Sequence, residues 1–327
     1  MPFRNLICGL GLAALPVALG AFDALAQVLA QSYPAKPVKI VLSSPGGGTD
    51  IMARLFADHF TRSLGAQFIV ESRQPNIAAA GYVARSAADG YTLLVATASY
   101  IVNTLLHQTP PYDPVNDFAP ISQLGSTPII VVVHPSLPAR TLPELIRLAR
   151  ANPDALNFGS GGIGSPLHLA GELFNQIAGV RTVHIPFKGT ANAATDLQAG
   201  RLQMMFPSEV SVLPFIKAGR IRAVALMGAR RSAQLPDVPT TVESGLPKLV
   251  ANIWYGMLAP RGTSTLIVNQ LNQNVLTALQ RDEIRERLVN VGVYPVGSSP
   301  SEFAAFAAEE RSRWASVIRV AKIEVAP

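Results

Sequence analysis

Two glycine-rich segments carry the strongest chemical signal in this 327-residue chain. Pro45-Gly46-Gly47-Gly48-Thr49-Asp50 follows a β-branched run at residues 38–43 and precedes a helical pattern at 51–64. Gly159-Ser160-Gly161-Gly162-Ile163-Gly164-Ser165 ends a second apolar run and opens a helical pattern that reaches residue 178. A strand-to-helix turn presents backbone N–H groups that have no intrahelical acceptor, at the positive end of the helix dipole. Two such turns facing each other across a cleft can hold the two ends of a dicarboxylate. Glycines let the ligand approach the backbone, and Thr49, Ser160 and Ser165 add hydroxyl donors. No arginine is required. Either turn alone is also what an ordinary strand-to-helix connection looks like; the pair makes anion binding the better reading.

The second turn admits a competing chemistry. Gly159-x-Gly161-x-x-Gly164 after a strand and before a helix matches the dinucleotide fingerprint, which would make the chain an exported oxidoreductase. The acidic residue expected after the next strand is missing, since Val183-His184-Ile185-Pro186 offers none. A Gly-x-Ser-x-Gly elbow, a His-Glu-x-x-His zinc pair and a Gly-Lys-Ser/Thr phosphate loop are all absent from the sequence. Of the five histidines, His59 falls within the first helix, His107 in a loop and His134 after an apolar strand, while His168 and His184 lie nearer the second turn. These residues form no catalytic or metal-binding pattern. The expectation is a binding protein that is not an enzyme and carries no metal or cofactor.

The elements that would position the two turns alternate between strand and helix, the pattern of an α/β protein with a largely parallel sheet. Strands are expected at 38–43, 68–70, 92–96, 129–133, 156–159, 183–185, 203–206, 221–227 and 254–259. Helices are expected at 51–64, 78–87, 165–178, 265–280, 282–291 and 300–320. A further helix starts at Thr141, with Glu144 three residues on as the second half of a capping box. Two βα series, with the chain crossing near 128–134 and again near 250–260, imply a two-lobed fold with two hinge strands and a ligand cleft between the lobes. The expected division is residues 27–132 with 255–327 in one lobe and 133–254 in the other.

The amino terminus reads as an export signal. Arg4 is the only charge before Asp23, residues 6–22 are almost wholly apolar, and Ala24-Leu25-Ala26 supplies a small-x-small cleavage pattern. The apolar run is shorter than the roughly 20 residues a membrane span needs. Cleavage near Ala26 would remove Cys8, the only cysteine, and leave no thiol for a disulfide, a metal or a nucleophile. Loss of Arg4 and Asp23 leaves the net charge at +6, which favours anionic partners. The bases are scattered along the chain, so nucleic acid is not among those partners.

A longer series of motifs completes the picture. Tyr33-Pro34, the first glycine turn, Asp89-Gly90-Tyr91-Thr92-Leu93-Leu94, Pro111-Tyr112-Asp113-Pro114 and Asp117-Phe118-Ala119-Pro120 occur in order. They are followed by His168-Leu169-Ala170-Gly171-Glu172, Pro186-Phe187-Lys188-Gly189, Leu235-Pro236-Asp237-Val238-Pro239-Thr240 and Leu258-Ala259-Pro260. From about Tyr33 onward the chain resembles the tripartite tricarboxylate transporter substrate-binding proteins, also called the Bug family. The resemblance implies a periplasmic, type II-like binding-protein fold that closes on a small carboxylate as a monomer. The partner would be a pair of membrane permease subunits or, alternatively, a membrane signalling protein.

It also implies ligand contacts at Gly46, Gly47, Gly48, Thr49 and Asp50, at Ser160, Gly161, Gly162, Gly164 and Ser165, and at His168. Ser99, Phe187 and Lys188 would line the cleft. Asp50 would order its own loop, since a carboxylate beside a carboxylate repels it. Ser43-Ser44 stand where relatives carry an aromatic residue and proline. Pro207, beside Ser208, stands where relatives commonly carry an aspartate that can face a ligand ammonium. A ligand without an amino group is therefore expected, with Ser44, Pro207 and Ser208 at the site.

Overall fold

The computed structural model describes residues 33–43 and 47–323. The expected export signal, and Ser44, Pro45 and Gly46 of the first turn, lie outside them. Chain order begins with β1 (Val38–Leu42), α1 (Gly48–Leu64), β2 (Phe68–Ser72), α2 (Asn76–Ala84), β3 (Thr92–Ala96), α3 (Ser99–Leu106) and β4 (Phe118–Pro128). It continues through β5 (Ile130–Val133), α4 (Leu142–Ala151), β6 (Asn157–Ser160), α5 (Pro166–Ala178), β7 (Val183–Pro186) and α6 (Thr190–Gln198). Then come β8 (Met204–Met205), α7 (Glu209–Lys217), β9 (Arg222–Leu226) and β10 (Asn252–Pro260). The last elements are α8 (Thr265–Gln280), α9 (Asp282–Asn290), β11 (Tyr294–Pro295) and α10 (Pro300–Ala321).

These strands form two sheets, of order β11-β4-β10-β3-β1-β2 and β7-β6-β8-β5-β9. Both are mixed rather than largely parallel, which corrects the expectation. β1, β2 and β3 run parallel, but β10 is antiparallel to both β3 and β4. In the second sheet β6 is parallel to β7 and β8, while β5 is antiparallel to β8 and β9. Two of the exceptions share a cause: β5 and β10 are the strands by which the chain arrives from the other lobe, and each enters its new sheet against the local direction, while the short β11 pairs antiparallel with β4 at the sheet edge.

Only Ile129 separates β4 in the first sheet from β5 in the second. The return crossing lies beside it. Met227 N–H donates to the Ile129 carbonyl at 2.7 Å, Ala251 N–H to the Met227 carbonyl at 2.7 Å, and Ile129 N–H to the Ala251 carbonyl at 3.4 Å. The two crossings are thus one hydrogen-bonded strap, and backbone groups that would otherwise be orphaned between lobes are satisfied.

The local chemistry of several helices is as the residues dictate. Thr141 and Glu144 form the reciprocal capping box at the start of α4, and Ser299 with Glu302 does the same for α10. α10 is the long clamp of the molecule: it packs on β4, on α3 of the first lobe and on α5 of the second. Its inner face meets Trp254 of β10, whose indole makes edge contacts with Tyr100, Phe303 and Phe306 at 5.5–6.1 Å between ring centroids. Glu310 is buried there. One of its oxygens accepts both indole N–H groups, from Trp254 and Trp314, at 2.8 Å each. Arg313 then donates to the carbonyl of Val250, next to the return crossing.

Removing the carboxylate leaves two buried indole donors without an acceptor, at roughly 1–3 kcal/mol per unsatisfied group. Glu310→Ala is therefore expected to lower unfolding free energy by about 2–4 kcal/mol. Glu310→Gln, which keeps an acceptor oxygen, should cost less. Urea denaturation of the two variants checks the ordering.

Candidate functional site

In the second lobe the chain leaves β6 at Ser160 and enters α5 through Ser165, so the glycine turn sits at the carboxyl end of a strand and the amino end of a helix. Most of its amides are used internally. Gly162 N–H donates to Ser160 Oγ at 3.1 Å, and Gly164 N–H donates to His168 Nδ1 at 3.1 Å. Ser165 N–H donates to the Gly162 carbonyl at 3.2 Å, and the Ser165 hydroxyl caps α5 by accepting from His168 N–H at 3.3 Å. Gly162 and Gly164 have φ of 130° and 73°, a region open to glycine at little cost. The amides of Gly161 and Ile163 have no acceptor among the described residues. Gly161 is half-buried and Ile163 exposed, and their amides alternate with the anchored ones.

A second helix end reaches the same spot. A Cβ at Gly161 would lie 3.1 Å from Thr190 Oγ1 and 3.2 Å from Thr190 N, so the amino terminus of α6 adjoins the turn. Phe187 continues the β6–β7 pairing by donating its N–H to the Ser160 carbonyl at 3.1 Å. Lys188 next to it has an exposed side chain, and its carbonyl accepts from Asn192 at 2.8 Å.

In the first lobe α1 begins after Gly47, an exposed N-cap with extended backbone, and Ile51 is the first residue whose N–H returns to the Gly47 carbonyl, at 3.1 Å. The amides of Gly48 and Thr49 precede that bond and have no acceptor among the described residues. Gly48 can be nothing larger, because a Cβ there would overlap the hydroxyl of Tyr255 on β10. That tyrosine is buried, and burial pushes its phenol well above the usual range. It therefore remains a neutral hydroxyl beside the turn. The Asp50 carboxylate lies 2.9 Å from Arg54 Nε within α1. Ser99 opens α3, its hydroxyl 3.1 Å from that of Thr97.

α3 is also where the lobes touch. A Cβ on Gly164 would overlap Leu106 Cδ1 and lie 3.8 Å from Val102 Cγ1, both on α3. The second turn is thus seated on the helix that Ser99 begins. Pro207 and Ser208 lie beside the strap: the Pro207 carbonyl accepts from Ile130 N–H at 2.8 Å, and the buried Ser208 hydroxyl donates to Ser211.

His168 and His184 form a stacked pair, with centroids 3.6 Å apart and planes 12° from parallel. His168 is buried and committed to the turn through Nδ1. His184 Nε2 lies 2.6 Å from Ser160 Oγ, an arrangement that resembles a nucleophile and its base. It is not one. Burial, and then the adjoining His168 ring, lower the His184 pKa to about 3, so it is too weak a base, and Ser160 is fully buried. The pair supports the turn from beneath.

Sequence reading missed Tyr255, Thr190, Thr97, the unanchored amide of Ile163 and the histidine stack. Gly189-Thr190 after the Val183-His184-Ile185-Pro186 strand was a third strand-to-helix turn in plain view. No sequence signal marks the others, which depend on contacts between distant segments.

The model of the tripartite tricarboxylate transporter family receptor matches residues 52–323. Protein BugT of Bordetella pertussis is 36% identical over 94% of this chain and 96% of its own. A protein encoded in the tcbD-tcbE intergenic region of a Pseudomonas strain is 33% identical over 94% and 92%. Among solved structures, an R. palustris protein with adipate is 35% identical, covers 89% of this chain and 99% of its own, and has a TM-score of 0.82. MatC from Rhodopseudomonas palustris with bound malate is 31% identical over 88% and 100%, with a TM-score of 0.77.

The lowered His184 pKa fixes a sign. The folded state binds fewer protons than the unfolded state between about pH 3 and the ordinary value of 6.5, so the stability contribution is complete above that window and is lost as pH falls through it. Wild-type protein is expected to lose stability between pH 7 and pH 4.5 more steeply than His184→Gln. The difference should approach one proton. Denaturant midpoints across that range test it; parallel slopes would contradict it.

Proposed function

Because the chain belongs to the tripartite tricarboxylate transporter receptor family, we propose that it is a periplasmic solute receptor that captures a small dicarboxylate between its lobes and releases it unchanged. The observation that carries this reading is the set of amides without acceptors among the described residues: Gly48 and Thr49 in one lobe, Gly161 and Ile163 in the other, each in a strand-to-helix turn. A carboxylate held by such donors is stabilised by charge-assisted hydrogen bonds and the helix dipole together. Gly46, Gly47, Ser44, Ser99, Thr190 and the Tyr255 hydroxyl would complete the wall, with Phe187 and Lys188 at the rim.

Residues 27–129 with 252–327 act as one lobe and 130–251 as the other, hinged at the strap of Ile129, Met227 and Ala251. The signal is cleaved near Ala26. Among the described residues no helix is long and apolar enough to cross a membrane. The receptor works as a monomer and hands its ligand to a membrane permease of the tripartite type. Adipate and malate in the solved relatives support a dicarboxylate, and Pro207 offers no carboxylate to a ligand ammonium, so the ligand lacks an amino group.

Calorimetric titration of the mature chain with linear and hydroxylated dicarboxylates tests the proposal. A cognate acid at 100 times its dissociation constant should add about 2.7 kcal/mol of stability, visible as a thermal shift. Aspartate and glutamate should bind more weakly than the matching plain diacid. Tighter binding of the amino acid would refute the ligand class, and no response to any carboxylate would refute the function.

A further inference from the structure

A carboxylate lies behind the second turn rather than in it. We propose that Glu172 is a positioning residue for the ligand-holding turn, acting through His168. Its carboxylate keeps the imidazole proton on Nε2, so that Nδ1 stays open to anchor the Gly164 amide. The inference rests on the reading of this turn as the ligand's seat.

The geometry supplies each link. Gly164 N–H donates to His168 Nδ1 at 3.1 Å, so that nitrogen must present its lone pair. A neutral imidazole then carries its proton on Nε2. Nε2 lies 3.7 Å from Glu172 Oε1, one helical turn along α5. The distance is too long for a hydrogen bond, so the carboxylate acts through its field, and that field favours a proton on the nearer nitrogen. The ring is 5% exposed, which leaves water little access to compete.

Glu172 is itself held. Its Oε2 accepts from Asn175 Nδ2 at 3.3 Å, while Asn175 Oδ1 accepts from the Thr182 hydroxyl at 2.7 Å and Nδ2 also donates to the Thr182 carbonyl at 3.3 Å. Asn175, Glu172 and His168 therefore form a chain along one face of α5 that ends on the turn. The opposite face of the His168 ring is covered by His184, which burial keeps neutral. Glu172 is then the charged group that biases the tautomer.

The consequence concerns the free amides. Gly162 and Gly164 both sit at positive φ, and Ile163 between them is fixed only through its neighbours' anchors. If His168 places its proton on Nδ1, two donors face each other and the Gly164 anchor is lost. Ile163 N–H would then wander from the direction in which it meets a ligand oxygen.

The test uses the mature protein without ligand and then with the diacid that binds wild type. Nitrogen-15 spectra of the imidazoles report the tautomer, and hydrogen exchange of the Gly164 amide reports the anchor. The wild type should show His168 protonated on Nε2 and a protected Gly164 amide. Glu172→Ala should populate the Nδ1-protonated form, speed Gly164 exchange and weaken diacid binding about tenfold, or ~1.4 kcal/mol. Glu172→Gln, which keeps an oxygen but not the charge, should fall between.

An unchanged tautomer and unchanged Gly164 protection in Glu172→Ala would overturn the proposal. So would an altered melting temperature accompanied by a wild-type dissociation constant. The spectra and the exchange rates need no ligand, so they decide the positioning role even if no diacid binds and the functional reading fails.

Discussion

A protein can hold a carboxylate without a basic side chain where it leaves backbone N–H groups unsatisfied by its own acceptors, and folded chains rarely do so. Everything around the two glycine turns serves that condition. In the second lobe the alternation is explicit: the amides of Gly162, Gly164 and Ser165 are tied to Ser160, His168 and the Gly162 carbonyl, while those of Gly161 and Ile163 are left open. The tied amides hold the open ones in direction. In the first lobe the same condition needs bare backbone at Gly48, where the Tyr255 hydroxyl occupies the space a side chain would take.

The proposed reading also needs the two lobes to be held together, and the strap and the clamp do this. Ile129, Met227 and Ala251 join the two crossings into one hydrogen-bonded unit, so the backbone between the sheets is paired. α10 sets the approach by gripping β10 through Trp254 and Glu310 while it also packs on α5. At the other end Gly164 receives Leu106 of α3. A side chain at Gly164 would strain the turn and also press on this lobe contact, so the same glycine serves binding geometry and lobe fit.

Much of this was legible in the residues. The two turns, the capping box of Thr141 and Glu144, the start of α5 at Ser165 and the three carboxyl-terminal helices all follow from local chemistry, which local sequence encodes. β4 was missed because Pro120, Ser122 and Gly125 break the alternation that marks a strand; it is held by β10, not by its own propensity. α6 was missed because its polar and alanine-rich sequence shows no broad apolar stripe, and α7 because Pro214 falls inside it. The antiparallel entries of β5 and β10 are properties of chain path, which periodicity cannot register. In the site, the residues place His168 near the second turn, but which of its nitrogens meets Gly164 is a fact of geometry alone.

The central claim is that main-chain amides, and not a basic pocket, receive the ligand. It is tested most directly by titrating nitrogen-15-labelled mature protein with the diacid that gives the largest thermal shift and following the amide resonances. The account predicts that Gly48, Thr49, Gly161 and Ile163 shift most strongly downfield, as expected of N–H groups gaining a carboxylate oxygen. Their saturation should follow the calorimetric isotherm. Largest shifts at Lys188 or among the surface arginines, with those four amides unmoved, would contradict it.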